Sequence, residues 1–164
     1  MCKTLANMCS RTFLWSILLI SIAVVGAAYT LEHFYDFHPC QLCLYEQKVF
    51  KVTAIISLIA LFFPMRWQYY VGILLGFVFL VGAGIAGYHV AVQQHWVPLP
   101  AFCASQDFSA FESIETLKEQ MLNTPFVRCD QMTWSLFGLS LAAYNAILSL
   151  ILALFCWKWT CKHR

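Results

Sequence analysis

Cys40 and Cys43 lie two residues apart in the run His38-Pro39-Cys-Gln-Leu-Cys-Leu-Tyr45. Such a pair closes into a small, easily reduced disulfide, so the chemistry it fits is thiol–disulfide exchange. As a brace it is poor. Chain entropy gives roughly 2 kcal/mol for so short a loop, against about 3.5 kcal/mol for one spanning Cys103 to Cys129. Exchange needs a thiolate, which a helix N-terminus, a nearby cation or the Cys-x-x-Cys setting itself favours. Cys43 falls where a helix begins, with Lys48 and Lys51 a turn or two away and Glu46 opposing them. The expected bias is toward an activated Cys43. A haem attachment site is excluded, because Leu44 rather than histidine follows the second cysteine.

The elements that position these thiols are membrane helices. The chain has 164 residues, of which 61% are hydrophobic and only 11% charged, where a soluble domain carries about 25% charged residues. Mean hydropathy is +0.70. Phe13–Leu31 runs for 19 residues without Asp, Glu, Lys or Arg, Tyr69–Val92 for 24 and Met132–Trp157 for 26. Each is long enough to cross a bilayer as a helix. Val52–Met65 offers only 14. Starting that span at Leu44 makes it long enough, but Glu46, Lys48 and Lys51 then occupy its first two turns and must snorkel to the interface.

Charge fixes the expected orientation. With four spans and the N-terminus inside, Lys3, Arg11, Arg66, Lys158, Lys162 and Arg164 are cytoplasmic, and all eight acidic residues lie outside. This obeys the positive-inside rule. The first span reads as a retained helix rather than a cleaved signal peptide, its apolar run being longer than the usual signal core with no small-residue cleavage site after it. The expected fold is therefore an all-α integral membrane protein: a four-transmembrane-helix bundle forming one domain over 1–164. Helices are expected at about 12–31, 44–64, 69–91 and 132–157, with two extracytoplasmic loops at about 32–43 and 92–131 and both termini cytoplasmic. The net charge of +2 implies no nucleic-acid partner.

The second loop is expected to hold a short helix of its own. Ser109-Ala-Phe-Glu112 reads as a capping box. Phe108, Phe111, Ile114, Leu117 and Met121 recur at helical spacing, and Asn123-Thr-Pro125 ends the pattern. That apolar stripe can rest on the bilayer surface, cover the bundle or pack on the loop itself. Trp134 reads as an interfacial anchor.

On this topology Cys40, Cys43, Cys103 and Cys129 are outside, where disulfides persist. Four cysteines allow three connectivities, and the sequence does not choose among them. Cys2, Cys9, Cys156 and Cys161 are on the inner side, match no zinc spacing and read as free thiols. No metal is expected. Five of the seven glycines fall in the third apolar run, and Gly72-x-x-x-Gly76 is close-packing geometry, within the bundle or between chains. Asn145, inside the fourth run, reads as a structural polar residue facing other helices. No nucleotide-binding glycine motif is present, so a lipid-soluble acceptor such as quinone is the electron sink reached by elimination.

Pro39-Cys-Gln-Leu-Cys-Leu-Tyr-Glu46 resembles the first-loop motif of the DsbB family, the quinone-linked disulfide-generating enzymes of bacterial inner membranes. Ala86-Gly-Tyr-His-Val90 is similar to that family's third-helix end, and Cys129-Asp-Gln-Met-Thr-Trp-Ser-Leu-Phe-Gly138 to the segment entering its fourth. The resemblance runs from about residue 12 to 157. It implies a protein-disulfide:quinone oxidoreductase with Cys40, Cys43, Cys103 and Cys129 as catalytic residues. Cys103–Cys129 would oxidise a periplasmic thioredoxin-like partner of DsbA type, with Cys103 taking the partner's attack. Electrons would pass through an interloop Cys40–Cys129 bond to Cys40–Cys43, and from Cys43 to ubiquinone or menaquinone. That route is the known one by which the bacterial periplasm stays oxidising. Quinone contacts are expected at His89, Gln47 and Lys48. Gln47 departs from the family, which usually has arginine there, and Lys48 points about 100° around the helix from it.

Two other readings stay open. A vitamin K epoxide reductase-like enzyme shares the architecture but usually keeps its Cys-x-x-Cys late in the chain. A structural four-span protein with bracing disulfides would show stable pairs and no redox cycling.

Overall fold

The computed structural model describes residues 2–35, 38–100, 103, 128–130, 135, 136 and 138–162. Among them are four helices: α1 (Cys2–Phe34), α2 (Gln41–Ala60), α3 (Met65–Gln93) and α4 (Leu141–Lys162). The three apolar runs longest in the sequence each become a helix able to span a bilayer by length and composition. These are Arg11–Phe34, Trp67–Gln93 and Leu141–Lys162, with mean hydropathies of 2.1, 2.2 and 1.7. At 1.5 Å per residue, the 33 residues of α1 reach about 50 Å, more than the ~30 Å hydrocarbon layer. The 20 residues of α2 are long enough, but Glu46, Lys48 and Lys51 in its first half set it apart in composition.

The bundle is built the way a membrane interior requires. Leu19, Ile22, Phe77, Leu80, Ile151 and Leu154 lie exposed on its outer surface, whereas Ser21, Thr53 and His89 are buried inside. Apolar side chains can face lipid without cost, and polar ones must find partners within the protein. Ser21 of α1 and Thr53 of α2 meet in a buried hydrogen bond of 3.0 Å. Around it, Phe13, Leu14, Ile17, Phe50, Leu75, Phe79, Leu152 and Cys156 form the main core, drawn from all four helices. The Phe13 ring stacks on Trp159 at 4.3 Å between centroids.

The glycines of α3 serve packing within the chain. A Cβ at Gly76 would lie 3.4 Å from Cys156 Cβ, and one at Gly72 3.2 Å from the Trp159 ring. Both contacts are with α4, so the Gly72-x-x-x-Gly76 face is used inside the bundle. At Gly82 a Cβ would come within 2.8 Å of Val49 Cγ1 on α2. Only glycine lets α2 and α3 approach this closely.

Two expectations change. The fourth helix begins at Leu141 rather than at 132. Before it, β1 (Ser135–Leu136) and β2 (Leu139–Ser140) pair antiparallel, Ser135 with Ser140 and Leu136 with Leu139. Gly138, at φ 78°, makes the reversal, and the Ser140 hydroxyl accepts a hydrogen bond from the Ala143 N–H at 3.3 Å, capping α4. An apolar run alone does not reveal such a break. The second change is Glu46, which does not snorkel: it is buried, at 7% exposure. The helix expected around 109–121, its stop at Asn123-Thr-Pro125 and the Trp134 anchor lie outside the described residues.

Candidate functional site

Pro39 leads into α2, and Cys40 is its N-cap, in extended backbone at φ −72°, ψ 169°. The Cys40 sulfur takes the place of a serine or aspartate oxygen there, accepting the Cys43 backbone N–H at 3.4 Å. One turn of helix brings the two sulfurs to 3.0 Å, within hydrogen-bonding reach of each other. Both are free thiols in this structure; Cys40 is buried and Cys43 half-buried.

From α3, His89 places Nε2 3.5 Å from the Cys40 sulfur. Its Nδ1 lies 2.7 Å from Glu46 Oε1, and the second carboxylate oxygen accepts from Asn145 Nδ2 of α4 at 2.5 Å. Glu46 thus ties three helices together and fixes the imidazole ring, so that Nε2 faces the thiols. Gln93, one turn after His89, brings its amide nitrogen to 3.4 Å from the same Nε2.

These contacts decide which sulfur holds the charge. The Cys40 thiol is lowered from its ordinary 9.0 to about 4, chiefly by the hydrogen bond from Cys43, against the raising effect of burial and with help from His89. The thiolate is therefore on Cys40. Helix position alone had favoured Cys43, but Cys43 is the donor of the pair and has the Glu46 carboxylate on its own helix. In reduced, chelator-treated protein, the thiolate absorbance of Cys40 is expected to persist as pH falls through neutrality and to disappear only near pH 4. The sign follows from a depressed pKa: the charged form exists above it and is lost below it. Cys43→Ala removes the largest cause and leaves burial, so its transition should move up toward the ordinary thiol range. An unchanged midpoint would contradict the assignment.

Cys103 and Cys129 form a disulfide with Cα atoms 5.8 Å apart. It does not stand alone. Cys40, Leu42, Val92, Cys103 and Cys129 form one buried cluster, against which Cys43, Val97 and Leu99 pack. The chain reaches this cluster from α3 through His95, which adopts the left-handed region at φ 59° and turns it back. Beside Cys129, Arg128 donates twice to the Asp130 carboxylate, at 3.1 and 2.8 Å, a bidentate pair that holds the approach to the cysteine. Cys40, Cys43, Cys103 and Cys129 are thus brought together.

Cys43 also lines a cavity of about 220 Å³ between α1, α2 and α4. Val24, Ala28, Leu31, Phe50 and Leu148 are among its apolar walls, and Glu32, Cys43, Glu46, Gln47, Tyr144 and Asn145 are its polar lining. Gln47 therefore shares a wall with Cys43. His89 does not line this cavity; it reaches the thiols from α3, through Cys40. Lys48 stands apart from both. It is exposed, with its ammonium 4.7 Å from the Tyr45 ring centroid, because one residue beyond Gln47 turns it about 100° around α2. The sequence reading missed Glu46 as a site residue and favoured a structural over a functional role for Asn145. The signal available was a carboxylate one turn after the second cysteine.

Redox-capable cysteine pairs clustered at the end of a multi-pass helical bundle define a membrane protein of disulfide chemistry. Residues 10–159 match the family described as disulfide bond formation protein DsbB. The chain is 32% identical to disulfide bond formation protein B of Cupriavidus metallidurans, covering 88% of this chain and 89% of that one. It is 27% identical to the protein of the same name in Marinobacter nauticus, over 90% and 92% of the two chains. An uncharacterized protein of Rickettsia prowazekii is 29% identical over 85% and 81%. The chain belongs to the DsbB family of disulfide bond formation proteins.

Proposed function

We propose that the chain is a protein-disulfide:quinone oxidoreductase of the bacterial inner membrane, with both termini cytoplasmic. It reoxidises a periplasmic thioredoxin-like partner of DsbA type and delivers two electrons to membrane quinone. One observation carries this reading: Cys40 is buried with the Cys103–Cys129 disulfide, while its neighbour Cys43 lines an apolar cavity between helices. One end of the short pair faces the incoming electrons and the other faces a place for a lipid-soluble acceptor.

The exchange steps balance. A partner thiolate attacks Cys103 Sγ, forming a mixed disulfide and releasing Cys129 as thiolate. Cys129 attacks Cys40 Sγ of the closed short disulfide, making the interloop Cys40–Cys129 bond and freeing Cys43. The partner's second thiolate then resolves the mixed disulfide and leaves oxidised. Cys103 attacks Cys129, which restores Cys103–Cys129 and leaves Cys40 and Cys43 reduced. Two electrons and two protons must leave that pair before the next turnover.

The cavity residues fit a quinone. Its walls suit an apolar ring, and Asn145 Oδ1 is buried without a hydrogen-bond partner among the described residues, leaving an acceptor for a hydroxyl. A quinone held there would accept the two electrons and two protons. Gln47 would donate its amide N–H where the family usually has arginine, a neutral and weaker hold. Glu46 fixes His89 and keeps it against Cys40, which holds the sulfur in its reactive form.

A partner variant retaining only its attacking cysteine provides the test. Mixed with oxidised protein, it is expected to give a trapped mixed disulfide that peptide mass mapping assigns to Cys103. Mapping to Cys40 or Cys43 would overturn the order of transfer.

A further inference from the structure

We propose that the reduced thiols and His89 form an inhibitory zinc site, occupied only when the short disulfide is open. Zinc binding here does not depend on the electron path above; its inhibitory effect rests on that proposed function. Cys40 Sγ, Cys43 Sγ and a His89 ring nitrogen all lie within 4.8 Å of one another. A tetrahedral Zn²⁺ with bonds of about 2.3 Å to sulfur and 2.0 Å to nitrogen needs S···S near 3.8 Å and S···N near 3.5 Å. Cys40 to His89 Nε2 is already 3.5 Å. Only the sulfurs, at 3.0 Å, must open by about 0.8 Å, which a rotation of half-buried Cys43 can provide.

The surroundings support a metal ligand set. His89 directs Nδ1 onto Glu46 at 2.7 Å, the carboxylate–histidine arrangement that fixes tautomer and ring orientation in zinc centres. With Nδ1–H held on Glu46, loss of the Nε2 proton leaves a lone pair for the metal. Two thiolates and a neutral imidazole cancel the charge of Zn²⁺, so the buried site gains no net charge. Gln93 borders the ring nitrogen, and its Oε1 is buried without a hydrogen-bond partner among the described residues. It offers an acceptor to a water completing the four-coordinate shell. Binding displaces to solvent the Cys43 proton and the Nε2 proton that His89 directs at Cys40, and it occupies both sulfurs, so the disulfide cannot re-form until the metal leaves. Oxidation removes both thiolates and abolishes the site.

The test titrates Co²⁺, then Zn²⁺, into the full-length protein in detergent, reduced and then freed of reductant. The expected result is one equivalent with a thiolate-to-cobalt charge-transfer band, bleached by Zn²⁺ and absent from the same protein after oxidation. Cys43→Ser should lose the band. Glu46→Gln, which keeps the side-chain shape, should weaken binding about 10–100-fold through the imidazole it positions, and His89→Ala at least as much. A band that survives oxidation or Cys43→Ser would place the metal on other cysteines and overturn the proposal. Unchanged affinity in both the Glu46 and His89 variants would remove the histidine ligand, and with it the proposed site.

Discussion

Cys43→Ser is expected to lower quinol formation by more than about a thousandfold, as loss of a residue acting covalently does. The Cys103–Cys129 bond, 26 residues apart in sequence, remains intact in this variant and still accepts one partner thiolate. Partner oxidation should therefore stop after a single turnover rather than fail at the start. The distinction rests on the placement of Cys43 on the cavity wall and of Cys103 in the buried cluster with Cys40 and Cys129. Pre-steady-state mixing with reduced partner, followed by alkylation and mass analysis, separates the two cases. Equal loss of the first and later turnovers would mean that Cys43 acts before the long-loop disulfide.

Glu46→Ala should be the most destabilising substitution at the site. The carboxylate is 7% exposed and holds His89 on one oxygen and Asn145 on the other. Its removal leaves the buried His89 and the half-buried Asn145, on two other helices, without their partner. Breaking such an arrangement costs about 3–5 kcal/mol, which denaturant unfolding in detergent can read. Asn145→Ala removes one hydrogen bond and leaves His89 paired, so it should cost about 1–3 kcal/mol. A double-mutant cycle should then show coupling between positions 46 and 145, which are 99 apart in sequence. Additive losses would show that Asn145 is not held by Glu46.

The frame of this structure was legible because a bilayer imposes it. Phe13–Leu31 and Tyr69–Val92 became α1 and α3, since an uncharged run of that length has few other solutions. α2 was less clear for a physical reason: its first turns carry three charges, of which Glu46 serves the site rather than the membrane. Gly138 and Ser140 announced the hairpin before α4 only in retrospect, because a turn residue inside an apolar run competes with the helical reading of the whole run. The cysteine pair was visible from its spacing. The Glu46–His89–Asn145 network was not, since its members lie on three helices and meet only when those helices pack. The location of charge on Cys40 was hidden in the same way. Helix position pointed to Cys43, and the contacts that reverse this come from the cap geometry and from His89 on another helix.

The central claim is that electrons cross from a partner's thiols to quinone through Cys40 and Cys43. Its most direct test is anaerobic mixing of the purified protein with excess quinone and a reduced DsbA-type partner, measuring quinol and partner disulfide in the same sample. One quinol per partner disulfide is expected over multiple turnovers in the wild type, and in Cys43→Ser one partner disulfide per protein with no quinol. Partner oxidation continuing without quinol would contradict it, because the electrons would then have another acceptor.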